Sequence, residues 1–123
     1  MSKKILIVDD ELNMRMLLQE ALEEVEDKGV ELFVAANGND AIESIRIEKP
    51  DLVILDVMMP GMDGIDLSNK ATKIKPKLKV MFITGFAAVA LGDRNPDHEK
   101  ARVLSKPFHL KELVDQVEDL LAA

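Results

Sequence analysis

Short apolar runs alternate along the chain with stretches in which apolar residues recur at helical spacing. Two of the runs, Ile5–Val8 and Leu52–Leu55, are unbroken, which is typical of strands buried on both faces of a parallel sheet. Three further runs are mostly apolar, namely Val30–Ala35, Lys79–Thr84 and Ala101–Leu104. The pattern therefore predicts five strands.

Helical spacing of apolar residues predicts a helix in the segments between these runs and after the last of them. The first predicted helix extends from residue 11 to about residue 27, and the last covers residues 108–121. Asn39 or Asp40 is the predicted N-cap of the second helix. Gly92 and Pro96 interrupt the segment between residues 85 and 100, so we expect the fourth helix to be short or irregular.

Strands that alternate with helices predict an α/β fold with right-handed crossovers and helices on both faces of the sheet. At this length we expect a five-stranded, doubly wound parallel sheet in the order 2-1-3-4-5. The whole chain, residues 1–123, is then a single domain. Sites in such sheets lie beyond the carboxyl ends of the strands, which directs attention to the residues that follow each strand.

Composition narrows the classes of function. Sixteen Lys and Arg against 23 Asp and Glu give a net charge of −7, which argues against binding to nucleic acid or to an anionic membrane. The absence of Cys excludes disulfides and Cys-ligated zinc. No apolar run approaches the roughly 18 residues of a membrane span, and the run after Lys4 is too short for a signal peptide. We therefore expect a cytoplasmic protein.

Four of the five predicted strands end in polar residues or are followed by them. These residues are Asp9, Asp10, Asp56, Thr84 and Lys106, and Pro107 follows the lysine. Alone, each is typical of a helix cap or an exposed position, but the set converges on one edge of the sheet. Carboxylates that share a pocket repel each other, and Mg²⁺ relieves that repulsion. One carboxylate can then serve as a nucleophile, as in aspartyl-phosphate formation, while a lysine and a threonine bind the phosphoryl oxygens.

Ile5–Glu11, Asp51–Gly64, Thr84 and Lys106-Pro107 together resemble the receiver domains of two-component response regulators. The resemblance covers the whole chain and implies a flavodoxin- or CheY-like fold. It also implies a phosphorylation-controlled signalling module without an attached output domain, and not an enzyme.

The resemblance implies a role for each acidic residue. Asp56 would be the phosphoacceptor. Asp10 and Asp56, with the backbone carbonyl of Met58, would hold Mg²⁺, and Asp9 would act largely through water.

The resemblance also implies which residues respond to the phosphoryl group. Lys106 would pair with it, while Thr84 and the adjacent Gly85 would bind it and switch. Many receivers carry an aromatic residue three positions before the lysine, where this chain has Val103. Met58 and Phe86 would flank the phosphoryl group, and because neither can orient a water, we expect slow self-dephosphorylation.

The segments Val80–Leu91 and Val103–Leu113 resemble more specifically the CpdR-type single-domain regulators. That resemblance implies a histidine kinase or histidine phosphotransferase as phosphoryl donor and a Clp-type AAA+ unfoldase as partner, with a monomeric or weakly dimeric chain. Two alternatives remain open within the receiver family: a phosphorelay shuttle, and a regulator of another output protein. A haloacid-dehalogenase-type phosphatase is disfavoured, because that enzyme needs a general acid where Met58 stands.

Overall fold

A computed structural model describes residues 3–56, 58–59, 62–84, 101–105 and 108–122. The strands are β1 (Lys4–Val8), β2 (Glu31–Ala35), β3 (Leu52–Asp56), β4 (Met58–Met59), β5 (Met62–Asp63), β6 (Lys79–Thr84) and β7 (Ala101–Ser105). The helices are α1 (Leu12–Ala21), α2 (Glu23–Glu26), α3 (Gly38–Glu48), α4 (Gly64–Ile74) and α5 (Leu110–Ala122).

Five strands form one parallel sheet in the order β2-β1-β3-β6-β7. Its registers pair Val8 with both Ala35 and Leu55, and Thr84 with Ser105. The predicted parallel α/β architecture is confirmed. All of these strands run in one direction, so their carboxyl ends form one edge, which we term the carboxyl rim.

The sheet separates two hydrophobic clusters. Alternate residues of a strand point to opposite faces, and in β3 both sets are fully buried from Leu52 to Leu55. Ile54 packs with residues of α1, α2 and α5, whereas Leu55 packs with residues of α3 and α4. Phe82 of β6 is the largest of the fully buried side chains and belongs to the second cluster. Packing of the aliphatic strand residues against helices on both faces of the sheet therefore fixes the position of the carboxyl rim.

Two helix predictions are corrected by the structure. The segment predicted as one helix over 11–27 is divided at Leu22, whose φ of −95° and ψ of 5° interrupt the helical backbone between α1 and α2. The N-cap of α3 is Asn37 and not Asn39 or Asp40, because the Asn37 side chain accepts the N–H of Asp40 at 2.8 Å. At its other end α3 stops at Lys49, which adopts a left-handed φ of 50°.

The last helix buries one stripe of apolar residues against the sheet. Leu113, Val114, Val117 and Leu120 are buried, as their spacing predicted. At 13 residues α5 is too short for a membrane span, and none of the described helices is both long and apolar enough to be one. The predicted short or irregular helix between residues 85 and 100 lies outside the described residues.

Candidate functional site

Three acidic residues lie at neighbouring positions of the carboxyl rim. Asp9 follows β1 directly and is only 2% exposed, and its N–H donates to the carbonyl of Ala35 at 3.1 Å. Asp56 is the half-buried last residue of β3. Because Val8 pairs with Leu55, the next position along each strand places Asp9 beside Asp56 in register. Asp10 is exposed and follows Asp9 in the loop before α1.

The side chain and the carbonyl of Asp9 both organise the loop that leads into α1. Asp9 Oδ1 accepts the N–H of Glu11, the N-cap residue of α1, at 2.9 Å. The Asp9 carbonyl accepts a hydrogen bond from Arg15 Nη1 at 2.7 Å. These two bonds hold the N-terminus of α1, with its positive dipole end, at the acidic rim.

Arg15 is a site residue that sequence reasoning missed. It lies one turn into α1 and brings a guanidinium to the backbone of the acidic loop. A signal was present, since a basic residue in the first turn of a helix opposes the helix dipole and needs a local reason. The hydrogen bond to the Asp9 carbonyl supplies that reason.

The short antiparallel pair β4–β5 positions the backbone after the predicted phosphoacceptor. Met58 pairs with Asp63, and Met59 pairs with Met62. Met58 lies two residues after Asp56, the last residue of β3. The pairing with β5 therefore fixes the backbone that carries the predicted carbonyl ligand.

The donor set at the rim fits Mg²⁺ through a few protein ligands and water. Within the described part of the chain, no three acidic or histidine side chains gather into a metal-binding cluster, so Asp9, Asp10 and Asp56 do not form an all-carboxylate cage. Mg²⁺ commonly keeps several waters and takes only one or two carboxylates. Asp10 and Asp56, with the carbonyl of Met58, are a donor set of that kind. Asp9, whose Oδ1 already accepts the Glu11 N–H, is suited to a role through water.

The remaining predicted site residues divide into two groups. Thr84 is the last residue of β6, opposite Ser105 of β7, and its backbone therefore lies on the carboxyl rim. Val103 lies in β7 opposite Phe82. Three further predicted residues lie outside the described part of the chain, namely Gly85, Phe86 and Lys106. The structure thus brings Asp9, Asp10, Asp56, Met58 and Thr84 to one edge of the sheet.

Comparisons with known proteins show the family to which the chain is similar. Residues 5–118 match the model of the response regulator receiver domain family. The chain is 46% identical over 121 residues to the response regulator receiver protein CpdR of Brucella abortus (strain 2308), with 98% of each protein covered. It is 35% identical over 121 residues to sporulation initiation phosphotransferase F of Bacillus subtilis (strain 168), covering 98% of this chain and 95% of that protein. The solved receiver domain of the hybrid histidine kinase CckA has a TM-score of 0.77 at 32% identity, covering 96% of this chain and 98% of that structure.

Proposed function

The chain belongs to the response regulator receiver domain family, and from this premise we propose that it is a switch controlled by phosphorylation of Asp56. The observation that carries the proposal is the position of Asp56. It ends the central strand β3, in register with Asp9 and on the same rim as Thr84. Such a position gives a half-buried carboxylate access to a donor while the sheet holds it fixed.

The proposed chemistry is transfer of a phosphoryl group from a phosphohistidine to the Asp56 carboxylate. A carboxylate oxygen attacks phosphorus, the P–O bond forms, the P–N bond breaks and the imidazole leaves. Asp10, Asp56 and the Met58 carbonyl would hold Mg²⁺, which when bound neutralises charge at the carboxylates and the phosphoryl oxygens. Arg15 keeps the Asp9 loop in place during this step. Lys106, Thr84 and Gly85 would bind the phosphoryl oxygens.

For the output, we propose that the whole chain, residues 1–123, acts as one receiver domain that regulates Clp-type AAA+ proteolysis. The resemblance of Val80–Leu91 and Val103–Leu113 to CpdR-type regulators supports this, as does the 46% identity to the Brucella CpdR protein over 98% of its length. A histidine kinase or histidine phosphotransferase would supply the phosphoryl group. The regulated event is then binding of this chain to the unfoldase, and phosphorylation of Asp56 sets the fraction of the chain that is bound.

A second candidate is a phosphorelay shuttle. The 35% identity to a protein named as a phosphotransferase favours it. A shuttle passes the phosphoryl group on from Asp56 to a histidine, whereas a switch retains the group while a partner reads it. The two functions therefore differ in where the phosphoryl group is found after a second protein is added.

The phosphoacceptor is tested with acetyl phosphate and Mg²⁺, using intact-mass spectrometry. Wild type gains one phosphoryl group, and Asp56→Asn gains none. Asp115→Asn, an equal loss of charge at an exposed position of α5, is the matched control and behaves as wild type. Labelling of Asp56→Asn to the wild-type extent would overturn the assignment of Asp56.

The output is tested by affinity capture on immobilised wild type with and without beryllofluoride, a phosphoryl mimic. We expect an AAA+ unfoldase to bind only without the mimic. Capture of a different output protein would overturn the Clp assignment and leave the receiver function intact. Complete transfer of the phosphoryl group to a histidine phosphotransferase, with no unfoldase captured, would favour the shuttle.

A further inference from the structure

Strand β2 forms an outer edge of the sheet, since β1 is its only neighbour among the described strands. The bonds at its two ends show which backbone groups face β1. The N–H of Glu31 donates to the carbonyl of Lys3 at 2.9 Å, and the carbonyl of Ala35 accepts the N–H of Asp9 at 3.1 Å. Both terminal residues of β2 are therefore directed inward, towards β1.

The two residues at the second and fourth positions of β2 point the other way. Successive residues of a strand direct their backbone groups to opposite sides, so Leu32 and Val34 direct their N–H and carbonyl groups outward. Edge strands of native proteins are commonly protected by Lys, Pro or a bulge. The sequence of β2 contains neither Lys nor Pro. Its outer edge is thus a template for another strand.

Apolar side chains lie along this edge. A depression of about 350 Å³ between β2 and α3 is lined by Val34 and Ile47, which are 43% and 68% exposed. A second depression, of about 490 Å³, flanks the start of β2 and is lined by Leu32. The two depressions share Phe33, and together they are lined by residues 31–34 of β2.

Among the described residues, every charged residue that lines either depression is acidic. Those residues are Asp40, Glu43 and Glu48 in the first and Glu26 and Glu31 in the second. A lysine lies beside them, since the Lys4 ammonium is 5.8 Å from the centre of the Phe33 ring. The Lys4 ammonium, 3.2 Å from Glu48, neutralises only that carboxylate. A second copy of this chain would present the same acidic edge and be repelled, whereas a basic segment would be attracted.

We propose that the outer edge of β2 binds an extended basic segment of a partner protein, which adds a strand to the sheet. The segment's main chain would pair with Leu32 and Val34, its apolar side chains would contact Val34 and Ile47, and its Lys or Arg side chains would face Glu43 and Glu31. This is recognition by strand addition, in which main-chain hydrogen bonds give affinity and alternate side chains give specificity. The proposal does not depend on phosphorylation of Asp56.

The probe is a blocked synthetic peptide of alternating basic residues and valine, KVRVKVR, added to the full chain. Binding is followed by ¹H–¹⁵N NMR and amide hydrogen exchange. We expect the amides of Leu32 and Val34 to shift and to gain protection from exchange, because they would become hydrogen-bonded. A control peptide with the same length and the same number of basic residues, but with two adjacent prolines at its centre, cannot pair as a strand and should not bind.

Two substitutions test the two components separately. Val34→Pro removes an outward N–H and is compatible with the fold, since proline is tolerated where an edge N–H faces solvent. We expect Val34→Pro to bind the peptide about tenfold more weakly, which corresponds to the loss of one hydrogen bond of about 1.4 kcal/mol. Val34→Thr is its control, because threonine retains the backbone N–H. Glu43→Lys should weaken binding about fivefold, with a loss that shrinks at high salt. Glu112→Lys, an equal charge change on α5, should change affinity by less than about twofold.

Three outcomes would overturn the proposal. The first is equal binding by Val34→Pro and Val34→Thr. The second is an equal loss in Glu43→Lys and Glu112→Lys, which would reduce the interaction to non-specific attraction. The third is self-association that Val34→Pro abolishes, which would assign the edge to a second copy of the chain.

Discussion

Asp9 has two separable functions, and two substitutions of this one residue distinguish them. The structural function is the hydrogen bond that Oδ1 accepts from the Glu11 N–H at 2.9 Å. The proposed functional role is the negative charge beside Asp10 and Asp56, the proposed Mg²⁺ ligands. Asp9→Asn retains the oxygen acceptor and removes the charge, whereas Asp9→Ala removes both.

The hydrogen bond sets the expected loss of stability. A hydrogen bond to a charged group contributes about 1.5–3 kcal/mol, and Asp9 is 2% exposed, so solvent cannot replace its carboxylate. Asp9→Ala should therefore lower the free energy of unfolding by about 2 kcal/mol. Asp9→Asn keeps a neutral hydrogen bond and relieves repulsion from the other carboxylates, so it should remain within about 1 kcal/mol of wild type.

The charge sets the expected response to Mg²⁺. A ligand at ten times its dissociation constant stabilises the folded state by about 1.4 kcal/mol. Wild type should gain that amount from Mg²⁺. Both Asp9 variants should gain much less, because both lack the negative charge that favours the cation.

Urea unfolding with and without Mg²⁺ measures both quantities. The chain has no Trp and no Tyr, so far-UV circular dichroism is the appropriate signal. At an m value near 2 kcal/mol/M, a loss of about 2 kcal/mol moves the midpoint by about 1 M. Asp115→Asn controls for loss of one charge. Equal destabilisation by Asp9→Asn and Asp9→Ala would refute the hydrogen-bond argument, and full Mg²⁺ stabilisation of Asp9→Asn would remove Asp9 from the metal site.

Three further predictions concern helix ends and the phosphoryl site. Asn37→Ala should lower stability by about 1 kcal/mol, since it removes the acceptor of the Asp40 N–H, while Asn37→Ser keeps a capping oxygen without placing a second carboxylate beside Asp40 and should preserve stability. Equal thermal midpoints for the two variants would contradict the capping role. Lys49→Gly should raise the free energy of unfolding by about 0.5–1 kcal/mol, because Lys49 adopts a left-handed φ of 50° at the end of α3. Urea unfolding measures this change. A loss of stability would show that contacts of the lysine side chain outweigh the backbone strain. Met58→Asn combined with Phe86→Glu should accelerate loss of phosphate from Asp56, measured as phosphate release, because Asn and Glu can orient a water. An unchanged rate would count against a tuning role for these positions.

The strands were predictable from the sequence because the sheet is covered on both faces. Residues Leu52–Leu55 are all buried, so β3 appears as an unbroken apolar run. The division of the first helix was not predictable. Leu18, Leu22 and Val25 keep helical spacing across the break and all remain buried, so the hydrophobic pattern does not register the change in backbone angles at Leu22.

The site was predictable to the extent that it depends on topology. Parallel neighbours bring their carboxyl ends together, and this alone placed Asp9, Asp56 and Thr84 on one rim. Contacts between residues close in sequence were harder to predict from the sequence. The Arg15 bond to the Asp9 carbonyl and the Asn37 cap depend on the path of a loop of a few residues, which periodicity does not determine. The basic residue near the start of α1 indicated a local contact of Arg15 but not its partner.

The separation of the two hydrophobic clusters by the sheet has a consequence for how the chain tolerates change. Val117 of α5 and Ala71 of α4 lie in different clusters, on opposite faces of the sheet. Substitutions that are well separated and share no partners have additive effects on stability. One face can therefore accumulate substitutions without altering the tolerance of the other. The helices α3 and α4 can diverge to suit new partners, while α1, which is bonded to the Asp9 loop, and α5, which packs against α1, stay constrained.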